Sequence, residues 1–177
     1  MKKQLLMLAG LMLCLTSFSQ VRVGIGLQGA LPQSDFGDAY QFGGGAYLEP
    51  KVSFNNVEVG LNLGGMLFLP ESLELGDLDP ALIVNTTVVG YYFLSTPGVK
   101  PYFGIELGPS FTTIYSIKVN PSDPANPESH KSKSTEFFFM PKIGINAGSF
   151  DLGVSYNLAG DIKFLAVNLG FNISKRA

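Results

Sequence analysis

"FMPKIGINAG", residues 139–148, sets an apolar strand pattern around two residues that do not suit one. Phe137, Phe138, Phe139, Ile143 and Ile145 favour a sheet, yet Pro141 and Lys142 fall among them. Proline cannot donate to a strand ladder, and a lysine is costly to bury without a partner. A sheet with one face in lipid and one on a narrow polar interior accommodates both. Lys142 then points inward to opposite charges, and the Pro141 ring meets hydrocarbon. Its missing N–H predicts a bulge or a weakened ladder beside it, and the same holds for Pro50 and Pro109.

Working outward, the period is two almost everywhere. "VRVGIGLQ" places Val21, Val23, Ile25 and Leu27 on one face and Arg22, Gly24, Gly26 and Gln28 on the other. "VEVGLNLG" from 57, "PYFGIELGPSF" from 101, "FDLGVSYNL" from 150 and "FLAVNLGFNI" from 164 alternate in the same way. Such alternation predicts strands with one apolar face. Eight are predicted, over 21–30, 43–54, 56–68, 81–94, 99–116, 134–147, 149–158 and 163–173. The strand over 81–94, "ALIVNTTVVGYYFL", alternates least cleanly, so its facing is left open. No window beyond residue 20 keeps a helical period.

Connections are tight at one end ("NN", "STPG", "GS") and long at the other ("LPQSDFGDAYQF", "LPESLELGDLDP", "KVNPSDPANPESHKSKS"). The short "AGDI" is the exception among the latter. "PKVSFNNVEVGLNL" from 50 faintly echoes "PKIGINAGSFDLGVSYNL" from 141. Antiparallel strands long enough to cross a bilayer when tilted, with this loop asymmetry, predict a transmembrane barrel. In lipid a sheet must close on itself to pair its backbone. The expected architecture is all-β: an eight-stranded, antiparallel, up-and-down transmembrane barrel with a filled lumen, tight turns and termini periplasmic, long loops extracellular.

The N-terminus, "MKKQLLMLAGLMLCLTSFSQ", reads as a secretory signal over 1–19, leaving a barrel domain over 20–177. Cys14, the single cysteine, lies within it, so the mature chain has no disulfide or thiolate metal site. Without Lys2 and Lys3 the chain holds 10 basic against 14 acidic residues, and no basic stripe suggests nucleic acid.

The rival architecture is a soluble, lipocalin-like barrel in the periplasm, apolar inside and polar outside. A water-facing strand surface is normally dense in charge. Here the polar face is mainly Gly, Asn, Ser, Thr and Tyr, with sparse charges of both signs, as a narrow lumen requires. Arg22, Glu49, Lys51, Glu58, Glu106 and Lys142 are the candidate lumen network, with Glu106 and Glu58 as partners for Lys142. Phe54, Tyr91, Tyr92, Phe93, Tyr102, Phe103 and Phe150 near the tight turns predict one aromatic girdle. Phe68, Phe111, Tyr115, Phe137 and Phe139 predict the other.

The signal ending "SFSQ", the strand "KPYFGIELGPSF" and the terminal "VNLGFNI" resemble the small outer-membrane β-barrel family of Bacteroidota, porin-like or PorT-like. The resemblance covers essentially the whole mature chain and implies insertion by the barrel-assembly machinery. This chain departs from the pattern in continuing "SKRA" after Ile173 rather than ending on an aromatic residue.

Catalytic readings fare poorly. "GIGLQG" at 24–29 matches a dinucleotide fingerprint, but Pro32 and a polar run follow where a helix is needed. His130 is the single histidine and sits in a proline-rich loop, without partners for a triad or a metal. Glu71, Glu74, Asp77 and Asp79 read as a solvated acidic loop rather than a calcium site. The expectation is therefore a non-enzymatic, monomeric integral outer-membrane protein without cofactor. Its loops would meet lipopolysaccharide or partners, with a PorT-like accessory role in secretion as a special case. A narrow channel for small solutes or ions is the alternative.

Overall fold

The computed structural model describes residues 21–70, 77–118 and 128–174. The signal segment with Cys14, most of the acidic loop, the proline-rich loop and the His130 side chain lie outside the described residues.

The barrel strands are β1 (Val21–Gln33), β2 (Tyr40–Phe54), β3 (Val57–Pro70), β5 (Ala81–Phe93), β6 (Val99–Lys118), β7 (Glu128–Ala147), β8 (Phe150–Ala159) and β9 (Ile162–Ser174). A five-residue helix, α1 (Asp35–Ala39), joins β1 to β2, and a two-residue strand, β4 (Asp77–Leu78), precedes β5. Each barrel strand pairs antiparallel with its neighbour in sequence, and β1 closes on β9 from Arg22↔Ser174 to Gln33↔Lys163. The result is the closed eight-stranded meander that the alternation predicts. β4 is an addition beyond it, paired with the outer end of β6 through Asp77↔Lys118 and Leu78↔Ile117.

The apolar set faces outward. Leu27, Leu61, Val88, Phe103, Ile143, Phe150, Val167 and Leu169 are all exposed. Gln28, Glu49, Asn62, Thr87, Glu106, Lys142, Ser155 and Asn168 are buried within the lumen. This is the inverse of a lipocalin-like barrel, and it overturns that alternative. β5 faces Ala81, Ile83, Asn85, Thr87, Val89, Tyr91 and Phe93 inward. Its pattern is blurred because apolar residues sit on both faces.

All three ladder predictions at proline are met in their milder form. Between β7 and β8 the pairing runs from Phe139↔Leu158 to Lys142↔Ser155, skipping Pro141 without changing register. β2–β3 skips Pro50 between Leu48↔Leu63 and Lys51↔Gly60, and β5–β6 skips Pro109 between Asn85↔Ser110 and Val88↔Leu107. No bulge forms, because the other edge of each proline stays in its ladder: Val23↔Pro50, Pro109↔Phe137 and Ile105↔Pro141. The missing donor weakens one seam per proline.

Candidate functional site

The lumen is built in layers. At the tight-turn end Val89 packs with three inward rings, Tyr91, Phe93 and Tyr102, and Tyr91 and Tyr102 meet edge-to-face at 5.2 Å. These rings correct the girdle prediction. Tyr91, Phe93 and Tyr102 point inward, while Tyr92, Phe103, Phe150 and Phe54 remain on the outer face. At the other end Phe68 is likewise a lumen residue, leaving Phe111, Phe137 and Phe139 outside.

Glycine explains how a narrow barrel holds such rings. Tyr102 lies directly opposite Gly144 in the β6–β7 ladder, and a Cβ at Gly144 would sit 2.5 Å from its hydroxyl oxygen. A Cβ at Gly153 would meet the same hydroxyl at 2.6 Å. Tyr47 lies opposite Gly26 in the same way, Tyr91 opposite Gly104 and Phe68 opposite Gly43. The rings lie flat against the inner wall only because the facing residue has no side chain.

Charges fill the next layer, and the candidate network assembles here. Lys51 Nζ is 2.9 Å from Glu49 Oε1 and 3.6 Å from Glu58 Oε2. Arg22 Nη1 reaches Glu58 Oε1 at 3.0 Å, and Ser53 donates to the same oxygen at 2.9 Å. The Tyr91 hydroxyl donates to Glu49 Oε2 at 2.8 Å. Arg22, Glu58, Lys51 and Glu49 therefore form one chain of alternating sign from rim to interior. Pairing of this kind is what permits burial of Glu49 and Lys51.

Lys142 points inward but does not pair as expected. It donates to the Tyr91 hydroxyl at 3.2 Å and lies 5.3 and 5.4 Å from the ring centres of Tyr47 and Tyr91. Among the described residues it makes no ion pair with Glu58 or Glu106. Its charge acts through space on Glu49, Glu106 and Asp151. Cation–π contacts with Tyr47 and Tyr91 stand where a carboxylate contact was expected. Glu106 is held by Thr87, whose hydroxyl donates to Oε1 at 2.5 Å, with Asn62 also beside the carboxylate.

Sequence reasoning left out of this network Asp151, which accepts from the Tyr102 hydroxyl at 2.9 Å, and the three tyrosines themselves. The usable signal was the glycine placed across from each inward ring. Further along, Gln28 donates to Asn168, and Asn168 donates to Ser155.

An apolar plug closes the long-loop end. Phe36 on α1, Tyr40, Met66, Phe68, Ile83, Phe138, Met140 and Phe164 pack into one buried cluster. Ring centres lie 5.0 Å apart for Phe36 and Phe68, and 5.3 Å for Phe68 and Phe164. The tight-turn end instead opens into a polar vestibule of about 400 Å³, with Arg22 and Glu58 in its lining. Gly24, Gly26 and Gly29, the apparent nucleotide fingerprint, are ordinary β1 positions, followed by more strand rather than by a helix that could hold phosphate.

Two solved structures share this architecture over nearly their whole length. Neisserial surface protein A superposes with a TM-score of 0.56 at 14% identity, covering 89% of this chain and 97% of that one. Ail, the attachment invasion locus protein of Yersinia pestis, superposes at 0.54 and 15% identity, covering 88% and 99%. This is the fold of the small outer-membrane barrels. No family model and no curated protein matches the sequence. At these identities the likeness is one of fold, and the Bacteroidota-type, PorT-like assignment gains no support from it.

Proposed function

We propose that the chain is a non-enzymatic integral outer-membrane barrel that works through its long-loop end rather than as a pore. In this reading the tight turns are periplasmic, the long loops extracellular, and lipopolysaccharide surrounds their base. The observation that carries it is the plug under α1. Phe68, Phe138 and Phe164 are almost fully buried, and such a dry aromatic constriction expels water and hydrated ions. The charged layer beneath is no catalytic centre in this reading. Its carboxylates are buried and already bound to lysine, arginine, threonine and tyrosine. A PorT-like accessory role rests on the sequence resemblance alone.

Planar-bilayer recording of the refolded protein tests the closed lumen. No steady conductance is expected. Reproducible single-channel steps abolished by Glu106→Ala would favour the narrow channel instead. Membrane residence is tested by fractionation and by a heat-dependent shift in gel mobility, and recovery in the soluble fraction would defeat it.

A further inference from the structure

β6 and β7 are each 20 residues long and stay in register from Val99↔Ala147 to Lys118↔Glu128. Their neighbours stop earlier. On the β6 side the gap is filled, because β5 pairs out to Ile114 and β4 covers Ile117 and Lys118. On the β7 side the first pair with β8 is Phe139↔Leu158, and no described strand pairs with residues 128–138 on that side. On this side about 34 Å of strand, at ~3.4 Å per residue, has no ladder partner among the described residues. Phe137 and Phe139, on the lipid face of the same strand, place most of it beyond the membrane boundary.

Backbone polarity along this edge follows from Pro141. Its ladder to β8 is broken while its ladder to β6 is intact, so its nitrogen faces β8. Strand geometry repeats every two residues, and the register is unbroken. The N–H groups of Lys131, Lys133 and Thr135 therefore also point away from β6, to the side with no ladder partner among the described residues. The side chains of Lys131 and Lys133 are exposed on the outer face, with Lys131 Nζ 4.7 Å from the centre of the Tyr115 ring.

We propose that this edge is a β-augmentation site for an extended peptide segment with acidic residues at alternate positions. Main-chain hydrogen bonds to the free donors would supply affinity, and carboxylates opposite Lys131 and Lys133 would supply selectivity. A second copy of the chain is the poorer occupant. Antiparallel pairing of two such edges centred on this stretch sets lysine against lysine, which is destabilising. Lysines on an open edge thus deter self-association while admitting an acidic partner. This deepens the proposed surface role by naming the chemistry of the partner.

The test uses the full refolded chain in detergent micelles, with a fluorescent peptide of alternating threonine and glutamate as the probe. A second peptide carries N-methyl groups on every other amide. Anisotropy should show binding of the first peptide and not the second. Thr135→Pro removes an edge donor without touching the β6 ladder, as Pro141 already does, and should weaken binding about tenfold or more. Lys131→Glu with Lys133→Glu should do the same, and retained heat-shifted gel mobility establishes that each variant folds. Equal binding of the methylated peptide, or unchanged binding to Thr135→Pro, overturns the proposal. So does a dimer in sedimentation that Thr135→Pro dissolves, which would make the occupant a second copy. Binding of lipopolysaccharide vesicles but not of peptide, lost only in the double lysine variant, would assign the lysines to phosphate. Because micelles impose no sidedness, peptide failure leaves the closed-barrel reading standing, whereas conductance would defeat that reading alone.

Discussion

Lys51 bridges two carboxylates, one of which, Glu58, is also held by Arg22 at 3.0 Å. Its removal leaves Glu49, 2% exposed, without the ion pair that Lys51 makes at 2.9 Å. Lys51→Met should therefore destabilise the barrel by about 3–5 kcal/mol in urea unfolding from lipid vesicles. Glu106→Gln is expected to behave differently. Among the described residues no lysine or arginine lies within ion-pair distance of Glu106, and the Thr87 hydroxyl can donate to an amide oxygen as well as to a carboxylate. Its cost should stay below about 1 kcal/mol. A Glu106→Gln loss as large as that of Lys51→Met would show that the network is wired otherwise. The membership of Arg22, Glu49, Lys51, Glu58, Glu106 and Lys142 in one lumen was legible, because an ionisable group on alternate positions can only face inward. Their pairing was not legible. It depends on where Tyr47 and Tyr91 lie, and a cluster such as Tyr91-Tyr92-Phe93 carries no facing signal until the opposite glycine is known.

At the level of strands and hairpins, alternation with glycine on the inner face read correctly wherever one face was plainly apolar. It blurred in β5, where Ile83 and Val89 join lumen clusters. α1 escaped because five residues cannot display a 3.6-residue period. The echo between the Pro50-Lys51 and Pro141-Lys142 hairpins acquires a physical meaning. In both, proline faces outward beside a skipped pair, and the following lysine enters the lumen. Pro141→Ala should restore a donor toward β8 and slow amide exchange along that seam, stabilising the fold by about 1 kcal/mol. Unaltered exchange at neighbouring β8 amides would mean that the seam is open for another reason.

For the whole molecule, the lumen is closed by apolar side chains at one mouth and opens into a polar vestibule at the other. The plug makes a sharp prediction: Phe36→Ala combined with Phe68→Ala removes two rings packed edge to face within it. If the plug is what blocks passage, small-cation conductance should appear in planar bilayers where the parent shows none. Continued silence in a correctly folded double variant would move the block to the charged layer.

The three proline seams have a mechanical consequence. They run between β2 and β3, between β5 and β6, and between β7 and β8. Cut along them, the cylinder becomes three stiff panels: β3 with β5, β6 with β7, and β8 through β9 and β1 to β2. A wall hinged in this way deforms as a rounded triangle rather than as a uniform tube when the surrounding bilayer squeezes it. Each panel is bounded by a hinge on both sides, the β6–β7 panel with its long unpaired edge among them. The two-strand panels, β3 with β5 and β6 with β7, tilt more readily than the four-strand one.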